Sequence, residues 1–315
     1  SPLLFILLLL GYNMCYMPTL SLANTLVFHT ISNREKQFPV IRVFGTLGWI
    51  TAGLGISFVL GRFTAAGLNP EQTALPLYLT AGASLLLGLY GFTLPHVPPP
   101  AAGRQVSARS IMGIDALKQL GSTSFYVFLL SSLLICIPLS TYYAYTQIYL
   151  EAAEFEYIAA TQTFGQMSEI LFMLLMPLFF SRLGVKWMLA IGMFAWVLRY
   201  SLFALGAPEA TTWMILSGII LHGICYDFFF VTGQIYMDKK ADPGIRGQAQ
   251  GLIIFVTYGV GMLIGTQIAG LVYNGFLGDS RSLSLGRWQD FWLVPAGISF
   301  VVMLLFSFLF RERVR

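Results

Sequence analysis

Charge is what this chain has least of. Of its 315 residues, 18 are Lys or Arg and 14 are Asp or Glu, 10% together, where a soluble domain carries about 25%. That deficit excludes a water-soluble domain. The net charge of +4 is spread over bases in many short loops, which gives no purchase for a nucleic-acid partner. Cysteine is also scarce: Cys15, Cys136 and Cys225 lie in apolar runs without paired spacing, which excludes a disulfide framework and a metal motif. They read as small core residues. No H-E-x-x-H, P-loop, nucleophile elbow or paired acidic metal motif occurs. An enzyme therefore has no constellation to rest on, and no cofactor is expected.

Apolar sequence fills the chain instead, at 57% hydrophobic residues and a mean hydropathy of +0.74. Nine segments have the length and composition of membrane-spanning helices, near 2–29, 40–61, 76–95, 123–150, 160–181, 186–206, 211–236, 249–275 and 290–310. The expected fold class is therefore an all-α, polytopic membrane protein. One long polar stretch, 96–122, holds Pro98, Pro99 and Pro100 with Arg104, Arg109 and Lys118 against Asp115, the composition of a linker. It divides the chain into 1–95 with three spans and 123–315 with six.

Basic residues set the expected topology. One set of loops carries Arg34, Lys36, Arg104, Arg109, Lys118, Arg182, Lys186, Lys239, Lys240, Arg246, Arg311, Arg313 and Arg315, thirteen in all. The alternate loops hold only Arg62, Arg281 and Arg287, with acids at Glu151, Glu154 and Glu156. This asymmetry puts the linker and the C-terminus in the cytoplasm. Nine spans then leave Ser1 outside, without an initiator Met, a basic leader or a cleavable signal. The expectation is that upstream helices are missing.

Two acids lie deep in apolar spans, Glu169 and Asp227, while the other twelve fall in loops, at helix ends or at the tail. Carboxylates at membrane depth face bundle interiors or wet cavities, where they handle protons, ions or polar substrates. Gln162, Gln166 and Glu169 share one helical stripe. There Gln162 reads as interhelical glue and Glu169 as functional. Arg42, Thr46 and Trp49 form a second stripe, which suits a planar polar ligand. From the residues alone, a cytoplasmic anchor snorkelling to headgroups is the favoured reading for Arg42. His222 and Tyr226 share a face with Asp227 beside them, a candidate proton site next to a stacking platform. His222 reads equally well as a satisfied buried imidazole. Arg199, inside its span, is expected to pair with Glu169 or Asp227. Tyr142 follows Pro138, a candidate kink, in a tyrosine-rich helix and is a weaker candidate for the cavity wall.

Several motifs are recognisable in order along the whole chain: Tyr16-Met17-Pro18-Thr19-Leu20, Phe38-Pro39-x-Ile41-Arg42-x-x-Gly45-Thr46-x-Gly48, Leu94-Pro95-His96, Gly113-Ile114-Asp115-Ala116-Leu117, Gln166-x-Ser168-Glu169, Tyr226-Asp227-Phe228-Phe229 and Ile245-Arg246-x-x-Ala249-Gln250-Gly251. They resemble the bacterial nucleoside:proton symporters of the major facilitator superfamily, in a branch that carries Pro-Leu-x-x-Tyr-Tyr and His-Gly-x-x-Tyr-Asp. Ser181-Arg182-Leu183-Gly184-Val185-Lys186 is similar to that superfamily's R-x-G-x-[KR] loop. The resemblance implies two six-helix halves around a cytoplasmic linker, of which nine of twelve helices, 4 to 12, are present. It also implies that Arg42, Thr46, Gln166, Glu169, Tyr226 and Asp227 line the nucleoside site or its proton relay. Trp49 and Tyr226 stand where the best-known members carry phenylalanine. Leu139, Tyr142 and His222 replace a glutamine, an asparagine and a tyrosine.

The expected function is proton-coupled nucleoside uptake by alternating access. Asp227 and Glu169 would couple the proton, and Arg42, Thr46, Trp49, Tyr142, Gln166, Glu169, His222, Tyr226 and Asp227 would form the substrate site. Expected partners are nucleoside, protons and the lipid bilayer, with no obligatory protein partner evident; the expected location is the bacterial inner membrane. Leu139 and Tyr142 leave room for a proton-coupled carrier of sugars or another polar metabolite. A non-transporting membrane sensor is the reading from another class.

Overall fold

The computed structural model describes residues 2–55, 73–98, 114–155 and 158–311. Among them every regular element is helical. Helix α1 (Pro2–Thr30) is apolar on all sides and buries only Phe28, the pattern of a helix solvated by lipid. Asn33 starts α2 (Arg34–Leu54). Its side chain accepts from the Lys36 N–H at 3.0 Å, and Gln37 Oε1 accepts from the N–H groups of Ser32 and Asn33 at 3.0 and 2.8 Å. These bonds satisfy donors that a first helical turn leaves open. Helices α3 (Leu75–Gly91) and α4 (Ile114–Gln119) follow. Ser122 caps α5 (Thr123–Ala152) by accepting from the Phe125 N–H at 3.2 Å.

Helix α6 (Ile158–Gly206) turns at Gly184, where φ is 64° and ψ 178°. Glycine adopts that conformation without steric cost, because it has no Cβ to clash. The expected spans 160–181 and 186–206 are thus the two arms of one element. Three more helices complete the fold: α7 (Thr212–Lys240), α8 (Arg246–Leu277) and α9 (Leu285–Leu309). Among the described residues six helices, α1 and α5 to α9, are long and apolar enough to cross a membrane. The charged start of α2 (Arg34, Glu35, Lys36) and the 17 residues of α3 separate those two from the group. Pro99, Pro100, Arg104 and Arg109 of the expected linker lie outside the described residues, as do Arg62, Glu156, Arg313, Arg315 and the end of the 40–61 segment.

Helix α6 is the hub: α2, α7 and α9 pack against it, and α5 packs on α8 and α9. Small residues let α6 and α7 approach closely. A Cβ on Gly165 would lie 3.1 Å from the Ile219 oxygen, and one on Gly223 would lie 2.5 Å from the Ser168 carbonyl. At one end an aromatic cluster locks α5, α6 and α9. Tyr200 stacks on Trp292 at 5.7 Å, Phe203 meets Trp292 edge-on at 5.0 Å, and the Tyr149 hydroxyl donates to the Phe203 oxygen at 3.0 Å. At the other end the start of α2 is tied to the end of α7 by the ion pairs Arg34–Asp238 and Glu35–Lys239. Arg246 of α8 reaches Asp238 at 3.6 Å.

Gly223→Ala forces the Ser168 backbone to shift and is expected to cost about 1–3 kcal/mol, read as a lower melting temperature of the detergent-solubilised protein. Gly297→Ala, which meets nothing within 4 Å, is expected to leave it unchanged.

Candidate functional site

Glu169, on α6, is buried yet not alone. Its Oε1 accepts from the Thr46 hydroxyl of α2 at 2.8 Å, and its Oε2 lies 3.9 Å from His222 Nε2 of α7. One carboxylate is thus shared by three helices. The local cause is a break in α7 after Leu221. Ser168 sits in that break, where its hydroxyl donates to the Ile220 oxygen and accepts from the Gly223 N–H at 3.1 Å. Because Ser168 precedes Glu169 in sequence, the clamp that closes the break also sets the carboxylate beside His222.

The rings beyond Glu169 form a continuous stack. Arg199 lies 4.2 Å from the Tyr142 ring centre, Tyr142 stacks on His222 at 5.5 Å, and His222 stacks on Tyr226 at 5.8 Å. At the far end the Arg42 guanidinium stands 5.9 Å from the Tyr226 ring centre and donates to its hydroxyl at 3.4 Å. A cation at each end suits the negative faces of the rings. The Tyr226 and Tyr258 hydroxyls are hydrogen-bonded at 2.6 Å, linking α7 to α8.

Asp227 differs from Glu169. It is fully buried, and among the described residues neither carboxyl oxygen has a hydrogen-bond partner. It opens a π-helical turn, Asp227–Val231, a local irregularity frequent at functional sites. The charges acting on it are those of Glu169 and Arg42. Gln166, one turn before Glu169, is half-buried and its amide makes no hydrogen bond among the described residues.

Several sequence expectations change here. Arg42 is not an anchor reaching for headgroups: its guanidinium turns inward, where the Tyr226 hydroxyl accepts from it and the Glu169 charge attracts it. Arg199 pairs with neither acid. It donates through Nε to the Gly218 oxygen at 2.9 Å and lies over the Tyr142 ring, while its two terminal nitrogens find no hydrogen-bond acceptor among the described residues. Gln162 does act as glue, accepting from Gln147 Nε2 at 3.4 Å. Arg42, Thr46, Tyr142, Glu169, His222 and Tyr226 come together in one connected group. Trp49 stays apart, 66% exposed. Tyr142 is only 4% exposed and has Arg199 and His222 on its ring, so it presents little surface to a ligand. Sequence reading missed Tyr258 and Ser168. The one signal for Tyr258 was a tyrosine beside a glycine in a lipid-length apolar span.

A family model described as "Nucleoside H+ symporter" matches residues 1–315. "Putative nucleoside transporter YegT" of Escherichia coli (strain K12) is 38% identical over 312 residues, covering 98% of this chain and 73% of that protein. Nucleoside permease NupG of the same strain is 31% identical over 329 residues, covering 99% and 75%. A crystal structure of nucleoside transporter NupG superposes with a TM-score of 0.72 at 29% identity, over 99% of this chain and 78% of that one. The fold is the all-helical transporter fold of the major facilitator superfamily, in a multi-pass membrane protein.

Tyr142→Phe keeps both ring faces and is expected to leave the melting temperature unchanged. Tyr142→Leu removes the surface beneath the buried guanidinium and is expected to lower it by several degrees, for a loss of about 2 kcal/mol.

Proposed function

The chain belongs to the nucleoside H+ symporter family and takes up nucleosides together with protons; we propose that the residues gathered around Glu169 and Asp227 do this work. Asp227 receives the proton. Among the described residues its oxygens meet no donor, so protonation breaks no hydrogen bond there and removes a charge from a medium that disfavours charge. Glu169 is the second acid of the pair, held in place by Thr46 and adjoining His222.

The free Gln166 amide offers one donor–acceptor edge to a base or ribose. Glu169 accepts from ribose hydroxyls, and Arg42 donates to the base. Tyr226 and the uncovered Trp49 ring supply the stacking faces, with Trp49 reaching the ligand as the cavity closes. His222, backed by Tyr142, forms the wall between them. Loading proton and nucleoside together neutralises the cavity, and the segments 1–95 and 123–315 then rock closed around it.

The inner membrane is the proposed location, with the C-terminus in the cytoplasm. The thirteen-to-three distribution of basic residues supports that orientation. The single observation that carries the assignment of roles is the contrast between the two buried acids, Glu169 satisfied and Asp227 unsatisfied.

In cells without their own nucleoside carriers, uptake of labelled uridine or adenosine is expected to collapse when a protonophore is added. Asp227→Asn is expected to reduce accumulation against a gradient by at least about tenfold while exchange of internal for external nucleoside persists. Concentrative uptake by that variant would remove Asp227 from the proton path. Preference for sugars over nucleosides in competition would overturn the substrate.

A further inference from the structure

We infer that Tyr258 is a specificity-determining residue of this transporter: paired with Tyr226, it presents one hydroxyl proton to the cavity and selects substrates that carry an acceptor there. The inference rests on the nucleoside reading above and adds to it a residue on α8.

The two phenol oxygens stand 2.6 Å apart, and either can be the donor. Each phenol owns one proton. One proton of the pair lies between the oxygens, which leaves one over. The Arg42 guanidinium occupies a lone pair on Tyr226 at 3.4 Å and, being a donor only, cannot take it. Neither tyrosine has another hydrogen bond among the described residues. Whichever way the pair is oriented, one O–H is without a protein acceptor.

Its position suits a ligand. Tyr226 borders the Glu169–His222 group, and Tyr258 is half-buried, not sealed. Both adjoin irregular backbone: Tyr226 immediately precedes the π-helical turn Asp227–Val231, and Tyr258 lies within the π-helical stretch Phe255–Gly261 of α8. Such π-helical irregularities are frequent at functional sites. A donor left unpaired in a low-dielectric site is costly. A ligand that offers an oxygen or nitrogen there is favoured over one that does not. Nucleosides carry such atoms on both base and ribose.

The test compares the wild type with Tyr258→Phe, which keeps the ring and removes one hydroxyl. Substrates are uridine and its 2-thio, 4-thio, 2′-deoxy, 3′-deoxy and 5′-deoxy analogues. Tyr258→Phe is expected to raise KM for uridine by about three- to tenfold, with maximal rate and membrane abundance unchanged. One analogue is expected to show the same loss in the wild type and no further loss in the variant, which identifies the acceptor. Tyr226→Phe leaves the Tyr258 O–H with its proton spare, so its uptake is expected to keep the wild-type analogue pattern. An unchanged KM for uridine in Tyr258→Phe, or an equal loss across every analogue, would overturn the assignment alone. A wild type that takes up no nucleoside would instead overturn the functional reading on which the assignment stands.

Discussion

The close approach of α6 to α7 is the constraint on which the site depends. Ser168 fills the backbone break after Leu221, and Gly223 leaves room for it. Without that approach Glu169 would not lie beside His222, and His222 would not sit between Tyr142 and Tyr226. The break is stable in an apolar medium because a side-chain hydroxyl replaces lost backbone partners, the condition under which membrane helices tolerate irregularity.

Two acids in the same medium are treated differently. Glu169, on α6, has a donor from α2 and an imidazole from α7, so its carboxyl is shared where these three helices meet. Asp227 has no donor among the described residues. A buried carboxyl without a hydrogen-bond donor, near one that has a donor, is the asymmetry on which the proposed proton coupling rests. The two arginines frame this asymmetry. Arg42 belongs to the site through Tyr226, whereas Arg199 is spent on packing beneath Tyr142. A guanidinium packs over a ring without a carboxylate because its charge is delocalised and its faces are weakly hydrated.

The ends of the molecule are built differently from its middle. Ion pairs join α2 to α7 at one end, where long charged side chains reach water. Aromatic contacts close α5, α6 and α9 at the other. Among the described residues of the middle, several polar groups lack a hydrogen-bond partner, and those beside Glu169 are the Gln166 amide, the Asp227 carboxyl, His222 Nδ1 and one hydroxyl of the tyrosine pair.

Much was legible in the residues alone. Apolar length located the helices, because a bilayer imposes one length on every crossing. Deep carboxylates marked the candidate site, because their burial is costly wherever it occurs. Periodicity placed Gln166 with Glu169 and His222 with Tyr226, since a helix maps spacing onto faces. Spacing within one helix says nothing, however, about what stands opposite on another. That is why Arg199 was matched with an acid it does not meet, Arg42 with a headgroup it turns away from, and Tyr258 with nothing. The sequence by itself determined that this is a helical membrane carrier with two acids at its centre. Only the tertiary structure decided which acid is satisfied and which hydroxyls pair, because those depend on distances of a few ångströms between side chains far apart in the chain.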